Sequence, residues 1–118
     1  MTRLLAALVL LAGLASPAFA HALLRKAVPG VGSTVATAPA TVTLIFSEGV
    51  EPSFTTVAVM NAGGAHMEDG GVAVAAADQK TISVKLKPLA PGTYTVQWHA
   101  TSVDTHKTEG KFTFTVAP

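Results

Sequence analysis

Through most of this chain apolar and polar residues alternate one for one, and that pattern leaves few folds open. In "ATVTLIFS", residues 40–47, Val42, Leu44 and Phe46 fall on one side. In "KTISVKLK", residues 80–87, Ile82, Val84 and Leu86 do the same, opposite Thr81, Ser83, Lys85 and Lys87. Tyr94, Val96, Trp98 and Ala100 alternate with Thr95, Gln97 and His99, and Phe112, Phe114 and Val116 with Thr113 and Thr115. A period of two belongs to strands with one buried face. The runs Ala22–Val28, Phe54–Met60 and, weakly, Val72–Val74 read as three more. Turn signals separate them: "PGVGS" at 29–33, "NAGG" at 61–64, "DGG" at 69–71 and "APG" at 90–92. About seven short strands at this spacing predict an all-β fold, an antiparallel Greek-key β-sandwich of the immunoglobulin or cupredoxin kind. Trp98 is the expected core anchor, with Phe46, Phe112 and Phe114 beside it. His99, on the opposite face, is expected to be half-exposed. The Gly- and Ala-rich segment 63–78 reads as a long, mobile loop.

The start of the chain follows a different rule. "MTRLLAALVLLAGLASPAFA" has a basic residue at Arg3, an apolar run from Leu4 to Leu14, and Ala18 and Ala20 flanking Phe19. That is the pattern of a secretory signal peptide cleaved after Ala20. Its apolar run is shorter than the roughly 20 residues that span a bilayer. Cleavage leaves 98 of the 118 residues, enough for one domain, residues 21–118. Without Arg3 the mature chain has seven basic and seven acidic side chains, and it contains no basic run. Nucleic acid is therefore not an expected partner. No second segment is apolar and long enough to cross a membrane, so the mature chain is expected to be exported and soluble; its balanced charge and lack of an obvious apolar patch point to a monomer. The chain has no cysteine. It can be neither a thiol enzyme nor a thiolate metal protein, so any metal must be held by His, Asp, Glu, Met or a free amino terminus.

One short stretch carries chemistry. "SVDTHKTEG", residues 102–110, sets Asp104 and His106 two positions apart. In an extended segment such residues point to the same side, so both can reach one ion. Alone the pair means little, since Asp-x-His is common in turns and surface hydrogen bonds. The proposed cleavage adds a third element. It makes His21 the first residue of the mature chain, where the α-amine and the imidazole Nδ1 can chelate together. That amine has an ordinary pKa of about 7.7–8.0, so a metal can displace its proton near neutrality. Two nitrogens from His21, one from His106 and an oxygen from Asp104 form a set suited to tetragonal Cu(II). Zn(II) competes, because it takes the same donors tetrahedrally.

These residues stand in a wider pattern. "HALL" follows the signal, then come "AVPGVGS", "VTLIFSEGV" and "PLAPGTYTVQWHATSVDTHKTEGKFTFTV". The last contains W-x3-S-x-D-x-H-x3-G-x3-F-x-V. Along nearly its whole length the chain resembles the CopC family of periplasmic copper-binding proteins. The resemblance implies a small β-sandwich with one Cu(II) held by His21, Asp104 and His106. It puts Glu48, of the "FSE" motif, near the site, as an axial ligand or as a carboxylate steadying a ligating imidazole. A solvated charge at a strand end is the alternative reading of Glu48. Some members hold Cu(I) in a methionine-rich loop, because soft thioethers prefer that ion. Here that loop offers only Met60, His66 and Met67, fewer methionines than such loops usually show, and one core methionine, Met60, with one loop methionine is the expected reading. His99 stands where the family often has arginine.

Three functions follow from this reading. The first is a periplasmic Cu(II) carrier that buffers copper and passes it to an inner-membrane CopD-type protein, in copper homeostasis or resistance. The second is a small copper oxidase, since polysaccharide oxygenases also use an N-terminal histidine. Those enzymes keep coordination positions open and need a broad substrate face, which one Trp and one Tyr hardly supply. The third is a metal-free immunoglobulin-like module, for which His21 would be irrelevant.

Overall fold

The computed structural model describes residues 22–118, which form eight strands in two four-stranded sheets. In chain order these are β1 (Leu24–Val28), β2 (Thr34–Val35), β3 (Thr41–Phe46), β4 (Thr56–Met60), β5 (Ala73–Val74), β6 (Thr81–Lys85), β7 (Gly92–Thr101) and β8 (Lys107–Val116). One sheet runs β1-β3-β6-β5 and the other β2-β8-β7-β4. Both the expected signal peptide and His21 lie outside the described residues.

The alternation works as its period requires. Val42, Leu44 and Phe46 from β3 and Ile82 and Val84 from β6 are buried, and they face Tyr94, Val96, Trp98, Phe112, Phe114 and Val116 from β7 and β8. Phe46 meets Trp98 edge-on with ring centroids 5.2 Å apart, and Tyr94 stacks on Phe114 at 5.5 Å. The Tyr94 hydroxyl donates to the Ala90 carbonyl at 2.5 Å, so its one polar atom is satisfied at the edge of the core.

The structure departs from the sequence reading in four places. An eighth strand, β2, pairs with the end of β8 in parallel, so the sandwich is not wholly antiparallel. Its two residues are too few to carry a period. Phe54 is not in a strand but in a short 3-10 turn, Pro52–Phe54, where its ring is exposed. β8 begins at Lys107, four residues before its apolar alternation, because Lys107 to Gly110 extend the pairing with β7. The segment 63–78 is tied down rather than loose. His66 bridges to Met60, Glu68 bridges to Leu86, and β5 pairs with β6.

Candidate metal centre

The long hairpin of β7 and β8 builds the end of the sandwich where Asp104 and His106 lie. The inward phase of β7 runs Trp98, Ala100 and then Ser102, which is fully buried. Ser102 bridges to Val50. The chain then reverses within Val103, Asp104 and Thr105. The Thr105 amide donates to the Ser102 carbonyl and the Ser102 amide to the His106 carbonyl, each at 2.8 Å. Thr105 closes the turn with φ +75°. A three-residue loop ending in a left-handed residue is a common hairpin connection. Outside it, the Val103 amide donates to the Gly49 carbonyl at 2.9 Å. Residue 49 must be small there. A Cβ would stand 2.9 Å from the Asp78 carbonyl oxygen and 3.3 Å from a Val103 methyl.

Asp104 and His106 do converge, with Asp104 Oδ2 at 3.2 Å from His106 Nδ1. The cause is not the one expected. They sit on a turn, not on an extended strand, and the left-handed Thr105 between them brings the side chains together. The spacing is chemically useful. Ligands about 2.0–2.1 Å from one ion lie about 2.9 Å apart at a right angle and about 3.4 Å apart at the tetrahedral angle. The other carboxylate oxygen, Oδ1, accepts from the Ser102 hydroxyl and, at 3.4 Å, faces the His106 amide. The Ser102 hydroxyl, then the His106 side chain and amide, hold the Asp104 carboxyl below its usual range against a smaller opposing effect of desolvation. These partners favour the carboxylate form, the form a metal needs.

Among the described residues no group of three or more His, Asp and Glu comes together to hold an ion. Ala22, bonded to His21, is nevertheless fully buried beside this hairpin. Its carbonyl accepts from the Thr108 hydroxyl at 2.7 Å, two residues beyond His106. Leu23 is pinned to Ser47 in both directions, its amide to Ser47 Oγ at 2.9 Å and its carbonyl from the Ser47 amide at 2.8 Å. Glu48 is half-buried on the bend between Ser47, which holds Leu23, and Gly49, which holds Val103.

The other histidines are engaged elsewhere. His99 is half-exposed, as its position on β7 implies, and its Nε2 pairs with Glu109 across the hairpin at 2.9 Å. His66 Nδ1 lies 2.8 Å from Glu68 Oε2, while Glu68 Oε1 accepts from the buried Val59 amide at 2.9 Å. Burial pushes the Glu68 carboxyl up, but the Val59 amide, its own amide and His66 together pull it below its ordinary value. Met67 packs against the core, whereas Met60 follows the outward phase of β4, opposite Val57 and Val59. The core methionine is thus Met67 and not Met60 as expected, because Val57 and Val59 take the inward phase of β4, and the two thioethers start from different sides.

Sequence reasoning missed Ser102. Its signal was the alternation itself, since a serine holds the inward position that follows Trp98 and Ala100, right beside the Asp-x-His.

Comparison with known proteins settles the kinship. The CopC domain family matches residues 24–117. The chain belongs to the CopC family. It is 40% identical over 110 residues to protein YobA of Escherichia coli K12, covering 92% of this chain and 89% of that one. The crystal structure of CopC from Methylosinus trichosporium OB3b superposes with a TM-score of 0.78 at 33% identity, over 83% of this chain and 95% of that one. PcoC from Escherichia coli, described as a methionine-rich copper resistance protein, superposes at 0.71 with 37% identity, over 82% and 99%. This CopC-family chain has three methionines in all, including Met1. It is not methionine-rich in that sense.

Proposed function

We propose that the mature chain, residues 21–118 after cleavage behind Ala20, is a periplasmic Cu(II)-binding protein. It holds one ion and passes it on in copper homeostasis or resistance. The observation that carries this reading is the pairing of Asp104 Oδ2 with His106 Nδ1 at 3.2 Å, with the buried Ala22 fastened to Thr108 close by. A residue joined to Ala22 is one peptide bond from that anchor. A free His21 amine and imidazole would then meet Asp104 and His106 as a four-donor set. Kinship with copper resistance proteins supports copper as the ion. Glu48 serves as an axial ligand or as a hydrogen-bond partner to an imidazole. Four strong donors leave no equatorial position for oxygen or substrate, so the reading is carriage, not catalysis. The acceptor is a CopD-type inner-membrane protein, and the carrier works as a monomer.

The proposal does not extend to a Cu(I) site at Met60, His66 and Met67. Met67 is used by the core and His66 by Glu68.

The test is a Cu(II) titration with electron paramagnetic resonance on chains beginning at His21, alongside a chain with one residue added ahead of it. We expect one tight equivalent with a nitrogen-rich tetragonal spectrum, weakened at least tenfold by the added residue. Binding indifferent to that residue would move the site away from His21. No tight binding would leave a metal-free sandwich module.

A further inference from the structure

We propose that Ser102 is a positioning residue for the metal site, fixing which oxygen of Asp104 is offered to the ion. This rests on the copper reading above and adds a residue to it. Ser102 is fully buried at the inward position after Ala100. A buried hydroxyl is costly unless it is bonded, so an apolar residue would be the ordinary occupant. The hydroxyl is engaged wholly within the hairpin that carries the two donors. It donates to Asp104 Oδ1 and accepts from the His106 amide at 3.2 Å, with the His106 carbonyl also at 3.2 Å. The backbone of Ser102 is fixed by its bridge to Val50 and by the hydrogen bond its amide donates to the His106 carbonyl. The hydroxyl is thus a rigid post.

The consequence is geometric. The Asp104 side chain is about two-fifths exposed, and without Ser102 only the longer contacts to His106, at 3.2 and 3.4 Å, would orient it. With Oδ1 held by Ser102, only Oδ2 turns toward His106 Nδ1. The carboxylate is set to bind through one oxygen, next to the imidazole. Partners that orient a ligand in this way typically change metal affinity by about 10–100-fold.

A double-mutant cycle separates this role from a merely structural one. Cu(II) affinity by competition titration, and urea midpoints without metal, are measured for wild type, Ser102→Ala, Asp104→Ala and the double variant. We expect Ser102→Ala to weaken Cu(II) binding about tenfold and to shift the spectrum toward fewer oxygen ligands. Placed on Asp104→Ala it should weaken binding no further. An affinity within twofold of wild type would overturn the role, and so would an equal loss in both backgrounds. A wild type that takes up no copper would overturn the copper reading and this role with it. Should Ser102→Ala fail to fold, the isosteric pair Ser102→Thr and Ser102→Val makes the same comparison, with Thr expected to bind the tighter.

Discussion

Thr105 is the residue on which the hairpin turns. Its φ of +75° lies in the left-handed region, which a β-branched side chain enters at a cost of about 1–2 kcal/mol. Glycine would enter it freely, and glycine is the usual occupant of this loop position. The local bond from Thr105 Oγ1 to the Asp104 carbonyl, at 2.5 Å, offsets part of the cost. Strain at a turn beside a proposed binding site is worth a direct measurement. Thr105→Gly should leave the metal-free protein as stable as wild type or up to about 1 kcal/mol more stable, because the relief exceeds the entropy glycine adds to the unfolded chain. Thr105→Ala keeps the left-handed penalty and loses the hydroxyl, so it should be less stable than Thr105→Gly by about 1 kcal/mol. Urea unfolding of the three chains decides this. If alanine matches glycine, the backbone at residue 105 is not strained.

Among the elements, the β7–β8 hairpin does most to join core and site. Gly110 stands opposite Trp98 on the inward face of β8. A Cβ there would come within 2.7 Å of the indole ring. The indole cannot retreat easily, since it is buried and meets Phe46 edge-on. Gly110→Ala should therefore destabilise the domain by about 1–3 kcal/mol, the usual cost of overfilling a core. Trp98 is the sole tryptophan, so its emission will report both the loss and any displacement of the ring. A variant as stable as wild type, with unchanged emission, would mean that the indole gives way at no cost. The same hairpin indicates what the sequence could and could not convey. Alternation marked the paired, half-buried parts of β3, β6, β7 and β8, because burial on one face imposes the period. It was silent on β2, whose two residues form a parallel pair set by tertiary contact. It also misled at the hairpin of the proposed metal site. The i, i+2 spacing brought Asp104 and His106 together on paper by strand geometry, whereas the chain does so with a turn. The turn was not legible because the left-handed position holds threonine instead of glycine. The buried serine beneath it broke no pattern loudly enough to be read as functional.

At the scale of the whole molecule, the proposed site would tie the two ends of the described chain's architecture together. β1 lies at the edge of one sheet, and the β7–β8 hairpin belongs to the other. Contacts across this end already exist between Ala22 and Thr108, and between Val103 and Gly49. An ion held jointly by residue 21 and the hairpin binds the folded state more tightly than the unfolded one, since unfolding parts the His21 chelate from Asp104 and His106. Such a ligand at a hundred times its Kd stabilises the fold by at most about 2.7 kcal/mol, less whatever the His21 chelate alone retains in the unfolded chain. For a domain of about 100 residues each kcal/mol raises Tm by roughly 4–8 °C, so Cu(II) should raise Tm by several degrees and by no more than about 20 °C. The chain with one residue added before His21 is folded by the same core and should start from the same metal-free Tm. Its copper-induced rise should be much smaller, because the amine–imidazole chelate is broken. Chelation of the metal should return both chains to the common value. Equal rises in the two chains would detach the ion from residue 21 and leave the two sheets unlinked by copper.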